Sequence, residues 1–409
     1  MLPLSGVTVL DLSRLLPGPM CSLHLQDMGA RVIKVEDTGA GDYARFLGMP
    51  AGYVSPVFHI MNRGKESISL DLSQAAGVEI FKQLVAKADV VLESFRPCVL
   101  DKLGIGYDAL KAVNPQIIVC SISGYGQTGP WAHKAGHDMN YCATAGILEQ
   151  MGNAGEAPAL GNFQIADLAG GTLSAAMAIL AALVGRLKNG EGCYLDVSMT
   201  DCAFANHVIP LAGMAVFQKT QPRGQDMLTG SRPCYSLYKT SDNLYMAVGA
   251  LENKFWVQVC DLLDKEEWKV RYNDVGPKAE QLRAEVAAVF ASKTQDEWRD
   301  FFAESDCCVT PILSPEKAFE HPQLLAREMI QEVKTLQGFT IKCPNTPFMI
   351  NGKKPNVEKG NNPAPEQGRD TTNILQELNI SVEKIEQYLS MNAVRQHGIQ
   401  PKNNKEQAK

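Results

Sequence analysis

The chain has 409 residues, 45% hydrophobic and 21% charged, a globular composition with enough length for two domains or one large domain with an insertion. Its net charge of −6 supplies no overall field for nucleic acid or an anionic membrane, so an anionic ligand must meet a local cluster of basic residues. The eleven cysteines lack CxxC spacing, which suits reduced thiols in a cytoplasmic protein and argues against a disulfide framework or a metal site.

In chain order, Val7–Leu12 reads as a short buried strand, and Pro17–Ala30 as a helix opened by Pro17 and Pro19 and closed at Gly29. Arg31–Glu36 is the next strand. This β-α-β start predicts a parallel, doubly wound sheet. Its first turn, LSRLLPGP, lacks GxGxxG, which disfavours NAD or FAD. A long Gly/Pro-rich loop then leads to NRGKESISLDL, where Arg63 and Lys65 flank a glycine and Ile68–Leu72 alternates like a strand. Both basic residues suit either a phosphate contact or a solvated turn. After the helix Ala75–Ala88 and the strand Val90–Ser94 comes Arg96, at the edge where open α/β sheets bind ligands. Tyr107–Ala112 and Ile117–Gly124 form a further helix-strand unit.

The stretch Ser121–Gly171 holds the chemistry: GYGQTGP, then AGHDMNY with His137 and Asp138, then ADLAGG with Asp167. An Ala-rich helix, Gly170–Leu187, follows; it reads as core, since its most apolar run, Ala175–Val184, is short of the roughly 20 residues of a membrane span. The N-terminal segment also lacks the pattern of a secretory signal, and no membrane partner is expected. Strand Cys193–Met199 and helix Thr200–Phe217 complete this part. Arg223–Pro233 marks a boundary, beyond which Cys234–Leu251 reads as a hairpin followed by helices Glu252–Leu263, Lys278–Ser292 and Thr294–Ala303. The expected organisation is a large domain over 1–225, a smaller one over 226–335, a return to the large domain over 336–395 with two short helices docked on it, and a flexible tail over 396–409.

The series LSGVTVLDLSRLLPGP, GARVIKVE, GAGDYAR, NRGKESISLDL, ESFRP, SGYGQTGP, AGHDMNY, ADLAGG, LDVSM and VGALENKFW resembles the family III CoA-transferase superfamily (CaiB/BaiF type), and within it is most similar to the alpha-methylacyl-CoA racemases. The resemblance covers nearly the whole chain. It implies a large Rossmann-like α/β domain with a parallel sheet, a smaller α+β domain, and an interlocked homodimer. It also implies an acyl-CoA substrate, with coenzyme A as part of the thioester and no separate cofactor or metal. By the same resemblance His137 and Asp167 are the two racemase bases, and Glu252 is the carboxylate that the second subunit sends toward the histidine. Arg63, Lys65 and Arg96 become phosphate contacts, with Asp138 and Tyr141 beside the pantetheine and thioester.

The chemistry agrees with those roles. Inverting a carbon next to a thioester needs one group to take a proton and another to return one on the opposite face. Taken singly, His137 suits a structural histidine and Asp167 an N-cap. A competing reading makes Asp167 the nucleophile of a CoA-transferase that passes through an aspartyl-CoA thioester. His137 favours the racemase, because the transferases usually lack a histidine there. A non-catalytic CoA-binding protein would not need both residues.

Overall fold

The computed structural model describes residues 1–49, 54–355 and 363–398. The chain divides into two compact units: one formed by Met1–Ala145, Phe163–Asn206 and the chain from Gln323 onward, the other by Gly146–Asn162 and His207–Pro322.

The first unit is built on a sheet of seven strands. Six are parallel: β1 (Thr8–Asp11), β2 (Arg31–Glu36), β3 (Glu66–Leu70), β4 (Val90–Glu93), β5 (Ile118–Ser123) and β6 (Tyr194–Ser198), in the spatial order 3-2-1-4-5-6. The seventh, Val394–Arg395, pairs antiparallel with β3. The central strands β1, β4 and β5 are largely apolar and buried, as expected where helices cover both faces of such a sheet. Ile33, Val35, Ile68, Leu70, Val91 and Val119 join Phe81, Leu84 and Val85 of the helix Ala75–Val85 in one core. The C-terminal helices Thr371–Glu377 and Val382–Ser390 add Ile374, Leu375, Ile385 and Tyr388 to it, so they dock where expected. The reversal of strand order between β1 and β4 creates a crevice at their carboxyl ends, the position at which open α/β sheets take ligands.

Several elements depart from the sequence-based expectation. The predicted helix Thr200–Phe217 is two helices, Met199–Asn206 and Val208–Phe217, broken at His207. Pro210 explains the break, since its ring would clash with the carbonyl of Asn206 in a continuous helix. The boundary between the units therefore falls at His207 and not after residue 225, and the second unit ends at Pro322 and not at 335. The strand expected from Ile68 begins at Glu66, and the helix Pro56–Asn62 occupies the end of what reads as loop. The helical run Ala166–Asn189, 24 residues, is long and apolar enough by composition to cross a membrane, with a mean hydropathy of 1.9 over an 18-residue window. Ala175, Ala176, Ile179 and Leu183 of this stretch are nevertheless buried in the first unit. The tail predicted over 396–409 lies outside the described residues from 399; before that point Gln396 accepts the Thr372 N–H and His397 pairs with Glu366.

The second unit holds β7 (Tyr235–Lys239), β8 (Tyr245–Gly249) and β9 (Val309–Pro311), antiparallel and in that order. Asn243 closes the β7–β8 turn with a φ of 65°, a conformation asparagine tolerates well. Helices Asn253–Leu262, Pro277–Phe290 and Gln295–Phe302 pack on this sheet through Trp256, Phe290 and Trp298, and Trp268 of the short helix Glu266–Lys269 joins the same core. Thr294 and Glu297 form a reciprocal cap at the start of the last of these helices.

Candidate active site

The carboxyl ends of β1, β4 and β5 feed the segments that carry the expected site. After β4, Arg96 is exposed and has no ion-pair partner among the described residues. Its charge is felt by the Tyr141 hydroxyl. Arg14, just beyond β1, is a cation the sequence reading passed over. It pairs with Asp37 at 2.8 Å and lies between the Tyr43 and Phe95 rings, 5.1 and 5.6 Å from their centroids. The signal was present in the SRLLPGP turn, read there only for its missing glycines.

The loop after β5 leads to His137, the N-cap of the helix Asp138–Thr144. Its backbone N–H donates to Asn140 Oδ1 at 3.0 Å, and the residue is exposed. Asp138 turns inward. Its Oδ1 accepts the N–H groups of Ala166 at 2.7 Å and Asp167 at 3.0 Å. One carboxylate thus ties the backbone beside His137 to the backbone of Asp167. This contact holds the segments of the two candidate bases together, and the resemblance, which places Asp138 beside pantetheine, does not imply it.

Asp167 sits in a widened π-helical turn, Ala166–Leu173, that runs into the helix Ser174–Asn189. Such turns are uncommon and recur at functional sites. Small residues permit it: a Cβ on Gly170 would lie 2.7 Å from Met199 O, and one on Gly171 would lie 2.8 Å from Pro17 Cβ. Thr172 Oγ1 donates to Pro17 O at 2.7 Å and pins the turn to the first helix, Pro17–Asp27. Burial, reinforced by the negative charge of Asp138, pushes the Asp167 carboxyl up to about 6, with His137 acting in the opposite sense. A carboxyl so placed gains and loses protons near neutrality, as a general acid-base needs.

Tyr141 lies beneath this pair, 7% exposed. Its hydroxyl donates to Gly136 O, and its ring fills the space left by two glycines: a Cβ on Gly124 or Gly136 would stand 2.3 or 2.7 Å from it. Burial, then the charge of Asp167, pushes its hydroxyl up to about 12. Tyr141 is the floor of the site.

Arg63 and Lys65 correct the expected phosphate contacts. Arg63 is buried in a two-pronged pair with Asp27, at 2.6 and 2.7 Å. Lys65 is wholly buried, its Nζ within 3.1 Å of Asp11, Pro19 O, Ser22 and Asn62. Charges removed from water must be paired, and these are paired within the protein. Of the three expected phosphate cations, Arg96 alone faces solvent. Glu252 lies in the second unit, as N-cap of the helix Asn253–Leu262.

A 3-2-1-4-5-6 parallel sheet with a His/Asp pair and an exposed arginine at its carboxyl edge is the arrangement of an α/β enzyme. Residues 4–371 match CoA-transferase family III, and the chain belongs to that family. It is 34% identical over 384 residues to the alpha-methylacyl-CoA racemase of Mus musculus, covering 93% of this chain and 95% of that protein. It is 33% identical over 405 residues to the succinyl-CoA:glutarate CoA-transferase of Homo sapiens, covering 97% and 90%. The crystal structure of a CaiB/BaiF family protein from Brucella suis superposes with a TM-score of 0.79 at 30% identity, over 92% of this chain and 99% of that one.

Proposed function

We propose that this protein is an acyl-CoA racemase, inverting the α-carbon of a 2-methylacyl-CoA by proton transfer between His137 and Asp167. The observation that carries this reading is the Asp138 carboxylate, which joins the backbone beside His137 to that of Asp167. One base removes the α-proton from one face, the charge passes into the thioester carbonyl as an enolate, and the other base returns a proton to the opposite face. In either direction the pair must share a single proton. With its carboxyl near 6, Asp167 still holds that proton in about a tenth of molecules at pH 7. Arg96 binds the substrate phosphates, and Arg14 stands on the same edge of the sheet.

The likeness to a glutarate CoA-transferase supports a second reading, in which Asp167 attacks the thioester and carries CoA to a free carboxylate. Incubation in D₂O separates the two. A racemase exchanges the α-proton through a base that equilibrates with solvent, so straight, branched and ring-bearing 2-methylacyl-CoA substrates are tested for α-deuterium with no acceptor acid present. Deuterium gain is the expected result. No exchange, with acceptor-dependent CoA transfer that borohydride or hydroxylamine arrests at Asp167, would overturn the racemase reading in favour of the transferase.

The working form we propose is an interlocked homodimer in which Glu252 of one copy approaches His137 of the other. Exposed apolar surface supports it. The helix Val208–Phe217, VIPLAGMAVF, buries no residue, and Leu173, Met177, Val184 and Leu187 stand exposed on the Ala-rich segment. A second copy covers such surface at low cost. Sedimentation at assay concentration is expected to show a dimer, and a fully active monomer would refute it. All eleven cysteines are free thiols, which supports the proposed cytoplasmic location.

A further inference from the structure

We propose that Glu93 is a positioning residue for the CoA phosphate site, holding the tip of β4 so that Arg96 points at the substrate. This rests on the reading of Arg96 as a phosphate contact. Glu93 is the last residue of β4 and is 3% exposed, an expensive place for a carboxylate with no cation paired to it. What it has instead is the tip of its own strand: it accepts the Phe95 N–H at 2.6 Å. That bond closes a tight turn immediately before Arg96. On the other side Pro97 restricts the Arg96 backbone to extended conformations, so its direction is fixed from both ends.

The same tip supports the neighbouring cation. Ser94 Oγ accepts the Arg14 N–H at 3.1 Å, and the Phe95 ring lies under the Arg14 guanidinium. Glu93 is therefore one bond away from the groups that place both arginines at the β1/β4 crevice. Asp11 does the same at the end of β1, accepting the Ser13 N–H just before Arg14, but it is paired with Lys65, whereas Glu93 has no cation partner among the described residues.

The surroundings of Glu93 make its charge sensitive to pH. Burial raises its carboxyl to about 7, the Ser121 hydroxyl and the Phe95 N–H oppose that rise, and Asp196 on β6 adds to it. Ser121 faces it in register on β5 and also accepts from the Tyr194 hydroxyl at 3.1 Å. The Cys120 thiol and the Tyr194 hydroxyl feel its charge, and on β1 the charge at this level, Asp11, is paired with Lys65. The ionised carboxylate accepts from Phe95 and is favoured by the Ser121 hydroxyl on the neighbouring strand. Protonation turns one oxygen into a donor, loosens the tip and weakens phosphate binding as the pH falls through about 7.

The test is calorimetric binding of free CoA between pH 6 and 8 by the full-length wild type and by Glu93→Gln, Ser121→Ala and Arg96→Ala. The 3′-phosphate of CoA itself titrates near 6. It does so with every variant, so only differences between variants are read. Glu93→Gln is expected to bind about threefold to tenfold more weakly than wild type at pH 8, as for the loss of one charge-assisted bond, and to show the shallower pH dependence. Ser121→Ala, which keeps the carboxylate, is expected to move the midpoint of the pH dependence upward. This second variant serves if Glu93→Gln does not fold. Arg96→Ala weakening CoA while Glu93→Gln and Ser121→Ala track wild type at every pH would overturn the role of Glu93 alone. Arg96→Ala binding CoA like wild type would instead overturn the phosphate-site reading.

Discussion

Replacing His137 or Asp167 by alanine is expected to lower turnover by about 10²–10⁴-fold, the range for losing a general acid or base, with CoA affinity nearly unchanged. Affinity is spared because both residues act at the reacting carbon, remote from the nucleotide. Asp167→Asn is the cleaner variant, since it keeps the shape of the turn and the N–H groups that Asp138 accepts. The pH dependence has a direction that can be checked. In the direction where Asp167 takes the α-proton it must be ionised, so kcat/KM falls as the pH drops through about 6. In the reverse direction it must be protonated, and kcat/KM falls above that value. Asp138→Ala removes the carboxylate that raises Asp167 while also freeing its turn, so it should lower turnover and shift this midpoint downward. Either base variant retaining near-normal turnover on the true substrate would refute its role.

The large sheet was legible because its strands are short apolar runs closed by glycine, proline and polar residues. Arg31–Glu36 has the bounds read from sequence, and β1, β4, β5 and β6 differ by a residue or so at their ends. Glu66 and Ser67 of β3 were missed because polar residues there conceal the strand. In the structure they are held by contacts distant in sequence, Glu66 by Arg31 and the Ser67 N–H by Asp370. The break at His207 was visible in Pro210, yet the continuous apolar run VIPLAGMAVF outweighed it. The candidate bases could be located by motif, whereas the bond that links them depends on how two loops meet. Nothing in AGHDMNY tells which of His137 and Asp138 faces inward. The fate of Arg63 and Lys65 was equally hidden, since their partners Asp27 and Asp11 lie 36 and 54 positions away.

Lys65→Met is expected to destabilise the protein by about 3–5 kcal/mol, the cost of stranding one member of a buried ion pair. Burial draws Lys65 down to about 8 against the pull of Asp11, and so it stays charged at pH 7. Burial works to raise Asp11, but Lys65 and Lys34 together bring it down to about 2, so it too stays charged. Asp11 also anchors the turn into the first helix, accepting the Ser13 N–H at 3.0 Å and the Ser22 hydroxyl at 2.6 Å. Asp11→Asn should therefore cost at least as much as Lys65→Met, and the double variant less than the sum, because neither charge is then left alone. The sign of the pH effect follows from the lowered carboxyl. The Asp11 contribution is complete above its ordinary value of 3.8 and is lost as the pH falls toward about 2. Urea unfolding followed by far-UV circular dichroism measures the loss, and CoA binding by the folded fraction decides what Lys65 is for. A Lys65→Met protein of near-normal stability that binds CoA poorly would return Lys65 to the phosphate site. A destabilised protein whose folded fraction binds CoA normally would leave Arg96, at the tip of β4, as the cation that meets the substrate.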